Sequence, residues 1–279
     1  MEKLQAALQK AREARGEATK TEMTRAEKDV LASGRPRAAG SIQSKWHALK
    51  SFDVPEEHLI EHRVVTRNAG PNAAPFDILR TKVLLQMRQN GWKRLAITSP
   101  MPRSGKTTTA CNLALGLGRH KDLYTVLMDF DLRDPSIHKF FKTNPPHGIG
   151  EFLTGQASFE DQAMRTGENV ACSMAQNAES DPTRLLLSEE TKEALDRVEA
   201  DYDPDIMIFD LPSVLVNDDT RAFLKNVDCA LIVVRSNVTK YNQLDVCERE
   251  IAEHTNVLGV VLNAFGNPAS GSSGDNYFT

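Results

Sequence analysis

Short, unbroken apolar runs mark the middle and the end of the chain: Arg94-Leu95-Ala96-Ile97-Thr98-Ser99, Tyr124–Asp129, Ile206–Asp210, Cys229–Val234 and Val257–Asn263. They are continuous rather than alternating, the pattern of parallel strands covered on both faces. Between most of them lie stretches with helical spacing. Phe76–Gln89 places Leu79, Val83, Leu84 and Met87 on one face, with Pro75 at its start, and Thr107–Gly118, Ser188–Glu199 and Asn242–His254 behave similarly. Repeated strand–helix alternation predicts a doubly wound, mainly parallel α/β sheet.

The ends read differently. Residues 1–32 are rich in helix formers, but their apolar stripe (Leu4, Ala7, Leu8, Ala11, Ala14, Ala18) is thin. The pattern fits a solvated, partly disordered arm or a helix that docks on a partner. Residues 33–54, with Ser33-Gly34-Arg35-Pro36-Arg37, read as a linker, and 267–279 as a Gly/Ser-rich tail. The expected organisation is an arm and linker over 1–57, a nucleotide-binding domain over 58–266 and a tail over 267–279.

Composition narrows the function classes. With 279 residues, 40% of them hydrophobic, the chain can bury a sizeable core. A net charge of −4 supplies no basic excess for general nucleic-acid binding. Cys111, Cys172, Cys229 and Cys247 show no paired short spacing, against a zinc knuckle or a CxxC redox motif. No apolar run reaches the ~18 residues of a membrane span, and the charged start Met1-Glu2-Lys3 is unlike a signal peptide. The chain is expected to be cytoplasmic, with any membrane association made through a partner.

The loop between the first apolar run and its helix is Pro100-Met101-Pro102-Arg103-Ser104-Gly105-Lys106-Thr107. A strand, a loop and a helix opening at Gly-Lys-Thr form the context of a phosphate-binding loop. Gly105 lets the backbone bend close to phosphates, and amides from Arg103 through Thr108 can point at the anion. Lys106 would neutralise the β- and γ-phosphates of ATP, and Thr107 offers a hydroxyl to Mg²⁺.

Asp129 and Asp131 follow one apolar run and Asp210 ends another. In doubly wound sheets, ligands collect outside the carboxyl ends of strands, so these acids are expected beside the loop. A hard cation needs such oxygens, and one carboxylate can serve as general base. Each Asp could equally cap a turn, but three at strand ends beside one loop favour chemistry.

Together these motifs resemble the bacterial tyrosine kinases of the CpsD/CapB type. That family also carries Pro at the position of Pro100, and Asp129-Phe130-Asp131-Leu132-Arg133-Asp134-Pro135-Ser136-Ile137-His138 resembles its second acidic motif. Asp210-Leu211-Pro212-Ser213-Val214-Leu215, with Asp218 beyond, resembles its third; Phe152-Leu153-Thr154-Gly155 and Leu258–Asn263 also fit. The similarity runs from about Glu61 to Gly266. It implies a P-loop fold of the MinD/ParA kind and ATP- and Mg²⁺-dependent phosphorylation of tyrosine. The setting it implies is polymerisation and export of capsular or extracellular polysaccharide.

Carried over, the resemblance gives Lys106, Asp129, Asp131 and Asp210 catalytic roles, with Asp131 activating the tyrosyl hydroxyl. Arg103, Ser104, Gly105, Lys106, Thr107, Thr108 and Asn263 would contact the nucleotide, and Thr107, Asp129 and Asp210 the metal. Arg133 would support the site by pairing with acids. The implied activator is a membrane-spanning chain-length regulator on a separate chain, and homo-oligomers are common in the family.

Departures from the family pattern are specific. The tail offers one candidate phosphoacceptor, Tyr277, instead of a tyrosine cluster. The family's Glu-x-x-Arg-x-x-Arg oligomer helix is here Ala74, Asp77 and Arg80, and its Gly-Glu before the last loop glycine is Arg103-Ser104. Two other readings stay open: a MinD/ParA-type ATPase, whose signature lysine would stand where Met101 is, and a weakly catalytic ATP-dependent scaffold of an exporter.

Overall fold

A computed structural model describes residues 39–264, with side chains from Ile42 onward. The N-terminal stretch 1–32, the tail over 267–279 and Tyr277 lie outside the described residues.

The first elements are helix α1 (Ala39–Ala48), strand β1 (Lys50–Ser51), helices α2 (Glu56–Glu61) and α3 (Ala74–Asn90), strand β2 (Arg94–Thr98) and helix α4 (Lys106–Gly118). Strand β3 (Thr125–Asp129) follows, then short helices α5 (Ile137–Phe140), α6 (Ile149–Leu153) and α7 (Phe159–Gln162) and the strands β4 (Met164–Thr166) and β5 (Val170–Ser173). Helices α8 (Pro182–Leu187) and α9 (Glu189–Tyr202) lead to β6 (Ile206–Asp210) and α10 (Asp219–Leu224). Strand β7 (Cys229–Arg235), helix α11 (Tyr241–Ala252) and β8 (Asn256–Asn263) complete the set.

The strands form one sheet in the order β1-β4-β5-β3-β6-β2-β7-β8. All neighbouring pairs are parallel except β4 with β5. The doubly wound, mainly parallel sheet is therefore present, with β3 and β6 at its centre and every residue of both buried. Phe130, Phe209 and Phe223 pack ring against ring beneath the carboxyl ends of these strands, with centroids 4.6–5.2 Å apart. Such contacts add about 0.5–1.5 kcal/mol each beyond area burial.

The expected linker is corrected over residues 39–54. Trp46 is fully buried, its ring edge-on to Tyr124 and Tyr202, and its Nε1 donates to the Tyr202 carbonyl at 2.8 Å. Leu49 and Val54 are buried as well, so residues ahead of position 58 already contribute to the core. The physical reason is that a few large apolar side chains can anchor a polar segment without any periodic stripe. Strands β4 and β5 are likewise additions: each is too short to register as an apolar run.

On α3, Asp77 accepts from both Arg80 (2.8 Å) and Arg119 (2.7 Å), so the acid and base at these positions pair within the chain. The helix stops at Gly91, whose φ of 69° is the left-handed conformation that ends helices. Among the described residues no helix is long and apolar enough to cross a membrane.

Candidate nucleotide and phosphotransfer site

The loop after β2 is braced by its own hydroxyls. Thr98 Oγ1 donates to the Pro212 carbonyl at 2.7 Å, and Ser99 and Ser104 both donate to the Met101 carbonyl at 2.7 Å. Ser99 and Ser213 hydroxyls stand 3.0 Å apart, linking the loop to the segment after β6. Gly105 turns the chain with φ 91°, and a Cβ there would lie 2.1 Å from Asn263 Nδ2. Only glycine tolerates both the conformation and the contact. Asn263 Nδ2 donates to the Ser104 carbonyl at 2.9 Å, so the end of β8 buttresses the loop from behind.

Helix α4 opens at Lys106 with no side-chain cap. Its first amides have no intrahelical acceptor and carry the positive end of the helix dipole, an arrangement suited to an anion. Lys106 is buried and its Nζ lies 3.4 Å from Ser213 Oγ. Thr107 Oγ1 donates to Asp210 Oδ2 at 2.6 Å.

Asp129 and Asp210 are register partners on adjacent strands, and both are fully buried. Asp129 Oδ2 accepts the Ser136 and Ile137 amides at 2.9 Å each. The other oxygen of each acid, Oδ1, is buried without a hydrogen-bond partner. Burial, reinforced by the facing Asp210, pushes the Asp129 carboxyl well above the usual range. Burial raises Asp210 to about 7 against the opposing pull of Lys106 and Thr107. Two like-charged carboxylates with orphaned oxygens are a costly arrangement unless a cation completes it. The donors are all hard oxygens, which fits Mg²⁺ and not a soft metal.

Asp131 is half-buried just beyond β3. Burial raises its carboxyl, and Lys106 is the main charge opposing the shift. Arg133 forks onto Asp219, at 2.5 Å to Oδ2 and 3.0 Å to Oδ1, and reaches Thr183 Oγ1 at 3.3 Å. This clamp ties the segment after β3 to α10.

Lys106, Thr107, Asp129, Asp131 and Asp210 thus converge, and Ser104, Gly105 and Asn263 meet in the loop. Arg103 is exposed with φ 60°, and its carbonyl accepts from Arg235 Nη1 at 3.4 Å. Thr108 lies inside α4, where its carbonyl accepts from Asn112 Nδ2 at 2.8 Å. Asp218 is mostly exposed and pairs with Arg221 at 2.8 Å, and the inward acid is its neighbour Asp219, 1% exposed. Sequence reasoning alone gives no role to Ser99, Ser136, Ser213 or Asp219. Ser136 and Ser213 each follow a proline in an acidic motif, which was the available signal.

No family model matches the chain. The tyrosine-protein kinase YwqD of Bacillus subtilis is 27% identical over 201 residues, 71% of this chain and 84% of that protein. The putative tyrosine-protein kinase EpsB of Ralstonia nicotianae is 27% identical over 216 residues, covering 75% of this chain. Among solved structures, the VpsO kinase domain superposes with a TM-score of 0.62 at 26% identity, over 70% of this chain and 96% of that one. The chain is related to the bacterial tyrosine kinases. The matched region covers 84% of YwqD but only 27% of EpsB. The kinase fold extends to the kinase domain of the Escherichia coli tyrosine kinase ETK, with a TM-score of 0.67 at 21% identity over 91% of this chain and 92% of that one. The same architecture, more distantly, holds an ATP analogue and magnesium in cobyrinic acid a,c-diamide synthase of Mycobacterium smegmatis, at 20% identity and a TM-score of 0.51 over 62% of this chain and 73% of that one.

Proposed function

We propose that the chain is an ATP-dependent protein-tyrosine kinase that controls polymerisation or export of an extracellular or capsular polysaccharide. The observation that carries the reading is the acidic trio at the loop. Asp129 and Asp210 present inward oxygens without partners, while Asp131 is half-buried with Lys106 as the main opposing charge. Kinship with YwqD and the VpsO kinase domain supports tyrosine as the acceptor.

In this reading the loop amides and Lys106 hold the β- and γ-phosphates, and Arg103, Ser104, Thr108 and Asn263 shape the cradle. Thr107, Asp129 and Asp210 would hold Mg²⁺, which when bound neutralises phosphate charge. The tyrosyl oxygen bonds to the γ-phosphorus as the bond to the β–γ bridging oxygen breaks, and ADP leaves. Asp131 takes the hydroxyl proton, and its raised carboxyl is a better base near neutral pH than an ordinary aspartate. Arg133, held by Asp219, keeps the Asp131 segment in place.

The activator would be the cytoplasmic tail of a separate membrane-spanning chain-length regulator, which would place this kinase in the cytoplasm at the inner membrane. Phosphate would be expected on Tyr277. Tyr241, 60% exposed at the start of α11, is the accessible alternative, since Tyr202 is buried and Tyr124 half-buried.

The test is to incubate the purified chain with MgATP and the activator tail and map phosphotyrosine by mass spectrometry. Phosphate on Tyr277 or Tyr241 should fall at least about 10²-fold in Lys106→Met and in Asp131→Asn. ATP hydrolysis with no phosphotyrosine would transfer the chain to the MinD/ParA-type ATPases. ATP binding with neither outcome would mark a scaffold.

A further inference from the structure

A second cluster of ligand-type side chains lies on α2, outside the phosphate site. His58, Glu61 and His62 bring one ligand atom each to within 4.8 Å of one another. The hydrogen bonds fix both imidazole tautomers. His58 Nε2 lies 2.9 Å from the Lys139 carbonyl, and His62 Nδ1 lies 3.0 Å from the His58 carbonyl. A carbonyl only accepts, so those two nitrogens carry the protons. His58 Nδ1 and His62 Nε2 are left as lone pairs, and the rings lie side by side, tilted by 40° with centroids 4.3 Å apart.

Glu61 does not satisfy them. Its Oε2 is 3.8 Å from His58 Nδ1, too long for a hydrogen bond. Two ligands about 2.0–2.2 Å from a tetrahedral ion stand roughly 3.4 Å apart, close to that separation. A backbone carbonyl behind a ligating histidine is also the usual way a metal site fixes ring orientation.

We propose that His58 Nδ1, Glu61 and His62 Nε2 bind a divalent first-row transition metal, Zn²⁺ foremost, with solvent at the remaining position. Two imidazoles and one carboxylate select such an ion over Mg²⁺ or Ca²⁺. The site lies against α5: His62 packs 5.1 Å from the Phe140 ring, and His58 holds the Lys139 carbonyl. The amide of the first residue of α5, Ile137, is held by Asp129. Metal here would pin α2 to the helix that Asp129 positions.

The experiment titrates Zn²⁺ into the untagged full chain by calorimetry, with Mg²⁺ and ADP in excess to engage the phosphate loop. Co²⁺ serves as the absorbing probe. One Zn²⁺ per chain is expected at micromolar or tighter affinity, with a visible Co²⁺ band of four-coordinate type. His62→Ala and Glu61→Gln should each weaken binding at least about tenfold and abolish the band, while His254→Ala changes neither. Glu61 is 73% exposed, so its amide variant does not challenge folding. Millimolar affinity, or binding that survives both variants unchanged, overturns the proposal.

Discussion

The two ends of the central strands are built on opposite electrostatic rules. At the amino ends every charge named has its partner. Asp228 Oδ2 accepts the Lys93 and Arg94 amides at 2.8 Å each, and Arg94 reaches Asp196 at 2.6 Å and Glu199 at 3.0 Å. Lys93 pairs with Asp203 at 3.0 Å. At the carboxyl ends of the same sheet, Asp129 and Asp210 face each other in the interior with an oxygen apiece unpartnered. One end is closed and stabilising. The other holds facing acids that burial keeps from ionising, with Lys106 opposing the shift at Asp210.

The largest effect should come from removing one of the facing acids. Asp210→Asn keeps an oxygen for Thr107 but loses the charge. Phosphotransfer is expected to drop about 10²-fold, while the Mg²⁺-free protein becomes more stable. The sign follows from the raised carboxyl. Between about pH 4 and about 7 the native state holds a proton that the unfolded state has released, so this group's contribution to stability falls as pH rises. The variant's advantage in thermal midpoint should therefore be absent near pH 3.5, grow to about pH 7 and level off. On the order of a few kcal/mol is available. Adding Mg²⁺ and ADP should shrink it. A variant no more stable than the parent at pH 8 would mean the carboxyl end is not strained.

Next is Asp219→Asn, which strikes a charge at the functional end that is compensated. Arg133 loses its two-oxygen fork and the opposing charge, while the remaining oxygen can still accept from Thr183. Activity should fall about tenfold with a stability loss of about 1–3 kcal/mol. This is the reverse of the Asp210 pattern. Parallel kinetics and denaturation of the two variants read the contrast directly; a stabilised Asp219 variant would abolish the distinction between paired and unpaired acids.

Much of this was legible in the sequence, and the exceptions share a cause. Continuous apolar runs marked β2, β3, β6, β7 and β8, because strands buried on both faces need no alternation. That the loop meets Asp129, Asp131 and Asp210 was legible because each follows an apolar run at the carboxyl end of a strand, where a doubly wound sheet brings such residues together. Trp46 was not, since one tryptophan in a polar stretch carries no period, and its burial depends on Tyr124 and Tyr202 far along the chain. Asp218 and Asp219 were indistinguishable in sequence, because which of two adjacent acids turns inward is decided by the start of α10 and by Arg133.

At the closed end, Arg94→Ala should cost about 1–2 kcal/mol in urea denaturation, by removing two charged pairs that are only partly exposed. Glu199 retains Lys93 at 3.5 Å, which limits the loss. Nucleotide affinity should stay within about twofold, because the strand separates Arg94 from the loop. A loss of ATP binding comparable to the loss of stability would show that the two ends are not independent.

The smallest effect should be that of Asp218→Asn. Its side chain is 76% exposed, makes no capping bond to α10 and pairs with Arg221 in an i,i+3 contact. Arg221 keeps Glu250 at 2.6 Å, so the substitution leaves it paired. Exposed pairs of this kind contribute about 0–1 kcal/mol, and stability should change by at most about 0.5 kcal/mol with phosphotransfer unaltered. The resemblance to the family's third acidic motif pointed at this residue, so a null result here beside a tenfold loss at Asp219 would assign the motif's working acid by position in the fold. A loss at Asp218 as large as that at Asp219 would mean that α10 turns in solution and presents both acids to the Arg133 segment.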